Sequence, residues 1–206
     1  MTFNKYIQLG MLFLVGFSLA ACGHSPKQVE NTPRSSEKKE ARPAEQQDKR
    51  AAFENIKVAS ATTEFKGGSS LADLTQLYGQ PSSHETKTAG NAKLDVYSWK
   101  FGQVTIQANL FEDSTIVKSI ANFYFNREKT IDHAKVSQLK KGMTYAEVVK
   151  RLTEPDDYTL ASSSNHTQLQ AIWVSGLKAK EAQAHLTLFF ENDHLDDISE
   201  MGLKDR

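Results

Sequence analysis

Cysteine occurs once in the 206 residues, at Cys22, so no intramolecular disulfide can form. Charge of one sign is equally scarce: 25 Lys and Arg balance 25 Asp and Glu. From residue 53 onward 17 basic residues face 20 acidic ones, a mixed and mildly acidic set that disfavours nucleic acid as a partner. Long apolar runs are limited to residues 7–19, broken by Gln8 and Ser18 and too short to span a bilayer comfortably. Five of the six histidines, His84, His133, His166, His185 and His194, lie past residue 52, are irregularly spaced and form no His-x-x-x-His pair. His194 with Asp196 and Asp197 reads as an acidic turn entering a strand, not as a metal cluster. Residues 162–166, Ser-Ser-Ser-Asn-His, lack the strand-to-helix glycine context of a nucleophile elbow. Gly67-Gly68 is a lone pair before a helix cap, not a phosphate loop. No catalytic residue, metal site or cofactor is therefore expected.

What is present starts at the N-terminus. Lys5 is the only charge ahead of the apolar run, which ends in Leu19-Ala20-Ala21-Cys22. This order resembles a bacterial lipoprotein signal with its lipobox. The resemblance implies cleavage before Cys22, removal of residues 1–21, and a diacylglycerol on the Cys22 sulfur anchoring the chain at the extracytoplasmic face of the cell membrane. Residues 23–52 follow with seven Lys or Arg, five Asp or Glu, three Pro and a single strongly apolar residue, Val29. Such a composition cannot bury enough surface to offset its ordering entropy, so residues 22–52 are expected to be a disordered tether behind the lipidated cysteine. As a flexible coil it would span roughly 30 Å.

An internal repeat organises residues 53–206, with one copy near 53–127 and the other near 128–206. Residues 68–74 align with 142–148 at an offset of 74, which continues to Pro81 with Pro155 and Trp99 with Trp173. Ser70 and Asp73, like Thr144 and Glu147, have the spacing of a capping box. Behind each cap runs one apolar helical stripe: Leu71, Leu74, Leu77 and Tyr78, or Tyr145, Val148, Val149 and Leu152. Each helix is expected to stop at its proline. Gly68 and Gly142 will tolerate replacement poorly if their φ is positive.

After each helix the period changes from helical to two. Strands are expected near 82–88, 94–101, 104–111 and 116–125, then near 158–162, 168–174, 184–191 and 195–201. In this alignment residues 110–113 answer 189–192. A chain this short would hardly bury two separate cores, so two meanders sharing one sheet is the economical reading: an α+β fold.

The segments Leu-Lys-Lys-Gly-Met-Thr-Tyr-Ala-Glu-Val at 139–148 and Ala-His-Leu-Thr-Leu-Phe-Phe at 184–190 resemble the tandem repeats of the β-lactamase inhibitory protein fold. The fold also occurs in SmpA/OmlA-type lipoproteins and in Gram-positive lipoproteins. The resemblance implies one twisted antiparallel sheet, short helices on one face, and a concave open face on the other. In the inhibitor that face grips a protein. This chain departs from the inhibitor in having no cysteines in the domain and no tryptophan on the strand at His185, so no β-lactamase inhibition is expected.

Alternation assigns the faces. On 184–191, Ala184, Leu186, Leu188 and Phe190 form the core set, leaving His185, Thr187, Phe189 and Glu191 outside. A phenylalanine among polar neighbours suggests contact with a partner. On 104–110, Val104, Ile106, Ala108 and Leu110 point inward and Thr105, Gln107 and Asn109 outward. Trp99 and Trp173 share faces with apolar residues and are read as core. Tyr124 is assigned to the side of Asn122 and Lys118. The partner-binding set is thus His185, Thr187, Phe189, Gln107, Asn109 and Tyr124. Two functions follow: a membrane-tethered module that binds an envelope or extracellular protein, including as an enzyme inhibitor, or a carrier of a small molecule or peptide in a pocket of the sheet.

Overall fold

The computed structural model describes residues 45–125, 131–178 and 183–203, the side chains of 176–178 and 183 excepted. The order is α1 (Gln47–Phe53), a 3-10 turn (Ala61–Thr63), α2 (Leu71–Tyr78), β1 (Ser83–Ala89), β2 (Ala92–Phe101), β3 (Val104–Phe111), β4 (Ser114–Ala121), α3 (His133–Val136), α4 (Tyr145–Leu152), β5 (Asp157–Ser162), β6 (Thr167–Lys178), β7 (Gln183–Glu191) and β8 (His194–Met201). The strands form one eight-stranded antiparallel sheet in sequence order. The α+β fold of two joined meanders is therefore the observed one.

Both helix starts are built alike. Ser70 and Thr144 each accept the backbone N–H of the acid three residues on, and that acid's carboxylate accepts the cap residue's own N–H. The ends differ from expectation. α2 and α4 stop before Pro81 and Pro155, at Gly79 (φ 79°) and Thr153 (φ 68°), where the chain enters a left-handed backbone conformation. The carbonyls of these two residues then accept the indole N–H of Trp99 (2.9 Å) and Trp173 (3.0 Å). Both tryptophans are fully buried, and each ties its helix end to the central strand of its own repeat.

The repeat extends to the backbone ladder. Ser82 N–H donates to Ser98 O and Asp156 N–H to Ile172 O. Ser82 Oγ accepts Lys100 N–H (3.1 Å), and Asp156 Oδ2 accepts Val174 N–H (2.6 Å). Past the β2–β3 turn the offset becomes 80: Trp99 pairs with Ile106 and Trp173 with Leu186, Glu112-Asp113 and Asn192-Asp193 all have positive φ, and Thr115 and Leu195 donate to Ser69 O and Met143 O. Residues 110–113 thus answer 190–193, one residue later than the sequence alignment placed them. The β-bulges opposite 109/110 and 189/190 fall at the same place in both copies, so the slip lies in the sequence alone, where Phe189 and Phe190 fit either register.

The two helix-side cores meet at Tyr158. One gathers Leu74, Trp99, Ile106 and Phe123 under α2, the other Val148, Trp173, Leu188 and Phe190 under α4. α1 completes the first and corrects the tether boundary. Its residues 47–52 fall within the expected tether, yet Phe53 and Arg50 are buried and Arg50 pairs with Glu54 and Glu154. The rest of that segment to residue 44, with Cys22 and the signal, lies outside the described residues.

Candidate functional site

With helices on one side, the other face of the sheet is left to the outward-alternating residues. Strand register arranges them in rows. One row runs Ser98, Gln107, Ser119, Thr159, Gln170, Phe189, Asp197, each the cross-strand partner of the next. Gln107 and Phe189 stand four strands apart, roughly 19 Å at the usual interstrand spacing. A second row runs Val96, Asn109, Val117, Ala161, Gln168, Glu191. On the far side of Phe189, Thr187 pairs with Ile172 and Ser199, and His185 with Val174 and Met201.

The inward set of β7 is buried as expected: Ala184, Leu186 and Leu188 are fully buried and Phe190 nearly so. Opposite them Phe189 is 38% exposed, with no aromatic partner among the described residues. His185, Thr187, Phe189, Gln107 and Asn109 thus share one face, although Gln107 and Asn109 bond each other (Nε2 to Oδ1, 3.0 Å). Tyr124 does not join them through a strand. β4 ends at Ala121 and Asn122 takes φ 59°, which breaks the alternation that linked Tyr124 to Lys118. Tyr124 is exposed beside the Asp156–Asp157 corner; partial burial, then these two carboxylates, push its phenol pKa up.

Lys118 in turn is not on the open face at all. It pairs with Ala108 and is buried, and its Nζ donates to the carbonyls of Phe53 (3.3 Å) and Ile56 (3.1 Å) at the end of α1. Burial holds its pKa below the ordinary lysine range. Ile198, at the same position in the second repeat, is a partly buried apolar residue.

Sequence reasoning missed two features. Met201, 51% exposed, is a second exposed apolar side chain on β8, opposite His185; at a strand end after Asp197 and Ser199 it gave no periodic signal. The other is a cover over the first repeat. Residues 59–65 pack Ala59 and Phe65 against Leu94, Phe111, Ile116 and Val117, with Phe65 edge-on to Phe111 at 6.2 Å. Their non-periodic sequence gave no hint of it.

Among the described residues no group of three metal-ligating side chains converges, and no helix is long and apolar enough to cross a membrane. The one titratable group with a large upward shift near this face is Asp157. Burial, and then the neighbouring Asp156, push it up to about 6 against the bonds it accepts from Phe123 and Asn122 N–H.

Residues 45–203 match the family described as a domain of unknown function with solved structure, DUF3862. No curated protein is significantly similar to the chain. Among solved structures, a Streptococcus mutans protein described as a "putative beta-lactamase inhibitor protein" is 37% identical, with a TM-score of 0.72 over 78% of this chain and 99% of that one.

Proposed function

The chain belongs to the DUF3862 family, and from that premise we propose that it is a protein-binding module held at the cell envelope by a lipid on Cys22. The observation that carries this reading is Phe189: a large, partly exposed ring in a polar row of the open sheet face, one strand in from its β8 edge. Aromatic anchors of this kind supply most of the free energy in protein interfaces. The likeness to a protein described as an inhibitor supports a protein as the ligand. The lipobox-like run before the only cysteine supports the anchor, since two long acyl chains hold a protein stably on a bilayer.

The test uses the full chain in its own cells, with a photo-crosslinking amino acid at Phe189 or, as a control on the helix side, at the exposed Lys150. One discrete cross-linked protein from position 189 and none from 150 is expected. The same products from both positions, or none from either, would sink the reading. Anchoring is checked separately: Cys22→Ser should abolish incorporation of labelled fatty acid. The inhibitor reading is tested by titrating β-lactamases; with no tryptophan on the strand at His185, no inhibition is expected.

A further inference from the structure

The two halves of the open face carry opposite chemistry at matching positions. In the first repeat Leu94, Phe111 and Val117 are apolar and lie under the chain's own residues 59–65. Applying the offsets found in the fold, the second repeat has Gln168, Glu191 and Asp197 there, and among the described residues no segment packs over them. The whole β7–β8 stretch, 183–201, contains five Asp or Glu and no Lys or Arg. Lys141 approaches Asp197 at 3.9 Å, but both groups are exposed and Glu191 has no ion pair among the described residues. Between these acids, paired with Asp197 and two residues from Glu191, stands the exposed ring of Phe189; Met201 is exposed farther along β8.

Resting on the protein-binding reading, we propose that the second-repeat face receives a basic protein segment: an apolar side chain, best an aromatic one, against Phe189, flanked by lysine or arginine over Glu191 and Asp197. Within the molecule, residues 59–65 show how a short segment with one phenylalanine covers this kind of surface. The acids then select the cover. An acidic segment meets like charges, whereas a basic one is steered in and paired. The same acids argue against a second copy of this chain, because two β8 edges would bring their own carboxylates together.

The experiment titrates the isotope-labelled full chain by NMR with three synthetic peptides of equal length. They carry a central phenylalanine flanked by lysines, the same phenylalanine flanked by glutamates, or an alanine flanked by lysines. The lysine-flanked phenylalanine should shift the amides of Phe189, Glu191, Asp197 and Met201, bind at least tenfold more tightly than either other peptide, and weaken as salt rises. Glu191→Lys should reverse the charge preference and Phe189→Ala should abolish the difference between phenylalanine and alanine. Equal binding of the two phenylalanine peptides, or tighter binding of the glutamate one, overturns the basic-segment inference while leaving the binding face in place. Shifts confined to the β1–β3 half, or none with any peptide, overturn both.

Discussion

The first and second repeats are built by the same local rules and differ in what lies on top of them. Each has a capping box, a helix ended by a left-handed residue, and a buried tryptophan bonded to that residue's carbonyl. On the first repeat one end of the open face, at Leu94, Phe111, Ile116 and Val117, is covered by residues 59–65. On the second the face is left with Phe189 and Met201 in the open. Shared features are therefore those that make a helix and a meander pack, and function is best sought where the copies part. The largest test of that division is Leu188→Ala. Leu188 is fully buried under α4, and truncation should cost about 2–5 kcal/mol in denaturant unfolding. A loss under 1 kcal/mol would mean that the inward and outward sets of β7 are exchanged.

The glycines before the caps sharpen the comparison. Gly142 has φ 88° with nothing near its missing Cβ, so Gly142→Ala strains only the backbone, at about 1–2 kcal/mol. Gly68 needs no left-handed conformation, but a Cβ there would stand 2.3 Å from Thr115 O and 2.8 Å from Thr115 N, both backbone atoms. Gly68→Ala should therefore cost more, about 3 kcal/mol, by pushing residues 59–68 off the end of β4. Equal losses in chemical denaturation would show that the cover gives way freely.

Position in the sheet separates Asp157 from Ser83, its counterpart at the start of β1. β1 is an edge strand and Ser83 is exposed, whereas β5 is flanked by β4 and β6. Burial raises the folded-state pKa of Asp157 from 3.8 to about 6, so the native protein binds the extra proton between those values. Its contribution is thus favourable at low pH and lost as pH rises through about 6. Asp157→Asn keeps an acceptor for Phe123 N–H and should gain on the order of 1–3 kcal/mol at pH 7, flattening the stability profile between pH ~4 and ~6. An unchanged pH profile would place the proton elsewhere.

The helix ends offer a gain from a loss of side chain. Thr153, at φ 68° and ψ −172°, holds a conformation that is nearly glycine's alone, and Gly79 is what the first repeat uses there. Thr153→Gly should stabilise by about 1 kcal/mol, the relief of strain exceeding the added freedom of the unfolded chain. A loss would show that the threonine side chain makes up the difference by its contacts.

Both caps, the tryptophan spacing and the inward set of β7 were legible in the sequence because each follows from bonds or alternation within a few residues. Lys118 was not. Its charge placed it outside, but a long apolar stem and two carbonyls from the distant end of α1 let it be buried. α1 was lost in a charged stretch for the same reason: Arg50 is held by Glu54, Glu154 and the rings of Phe53 and Phe125, and composition does not show pairing. The repeat was blurred by a residue because the adjacent phenylalanines at 189 and 190 fit either register against Leu110-Phe111; the bulges fall at the same place in both copies.

The smallest expected effect on stability bears most on the candidate site. Phe189 pairs with Gln170 and Asp197 on a polar row, and its ring is more than a third exposed, so Phe189→Ala leaves no closed cavity. Thermal unfolding should move by no more than the equivalent of ~0.5 kcal/mol, the usual range for surface changes. Its neighbour Leu188, one residue earlier and on the other face, is expected to lose several times that. The pair is informative because the residues share a strand and a backbone ladder and differ in the side they face. If Phe189→Ala destabilises as strongly as Leu188→Ala, the ring is a structural part of the sheet and the second repeat has a cover of its own. A stability change near zero, together with a lost cross-link or peptide contact at position 189, leaves Phe189 with a role that only a partner can explain.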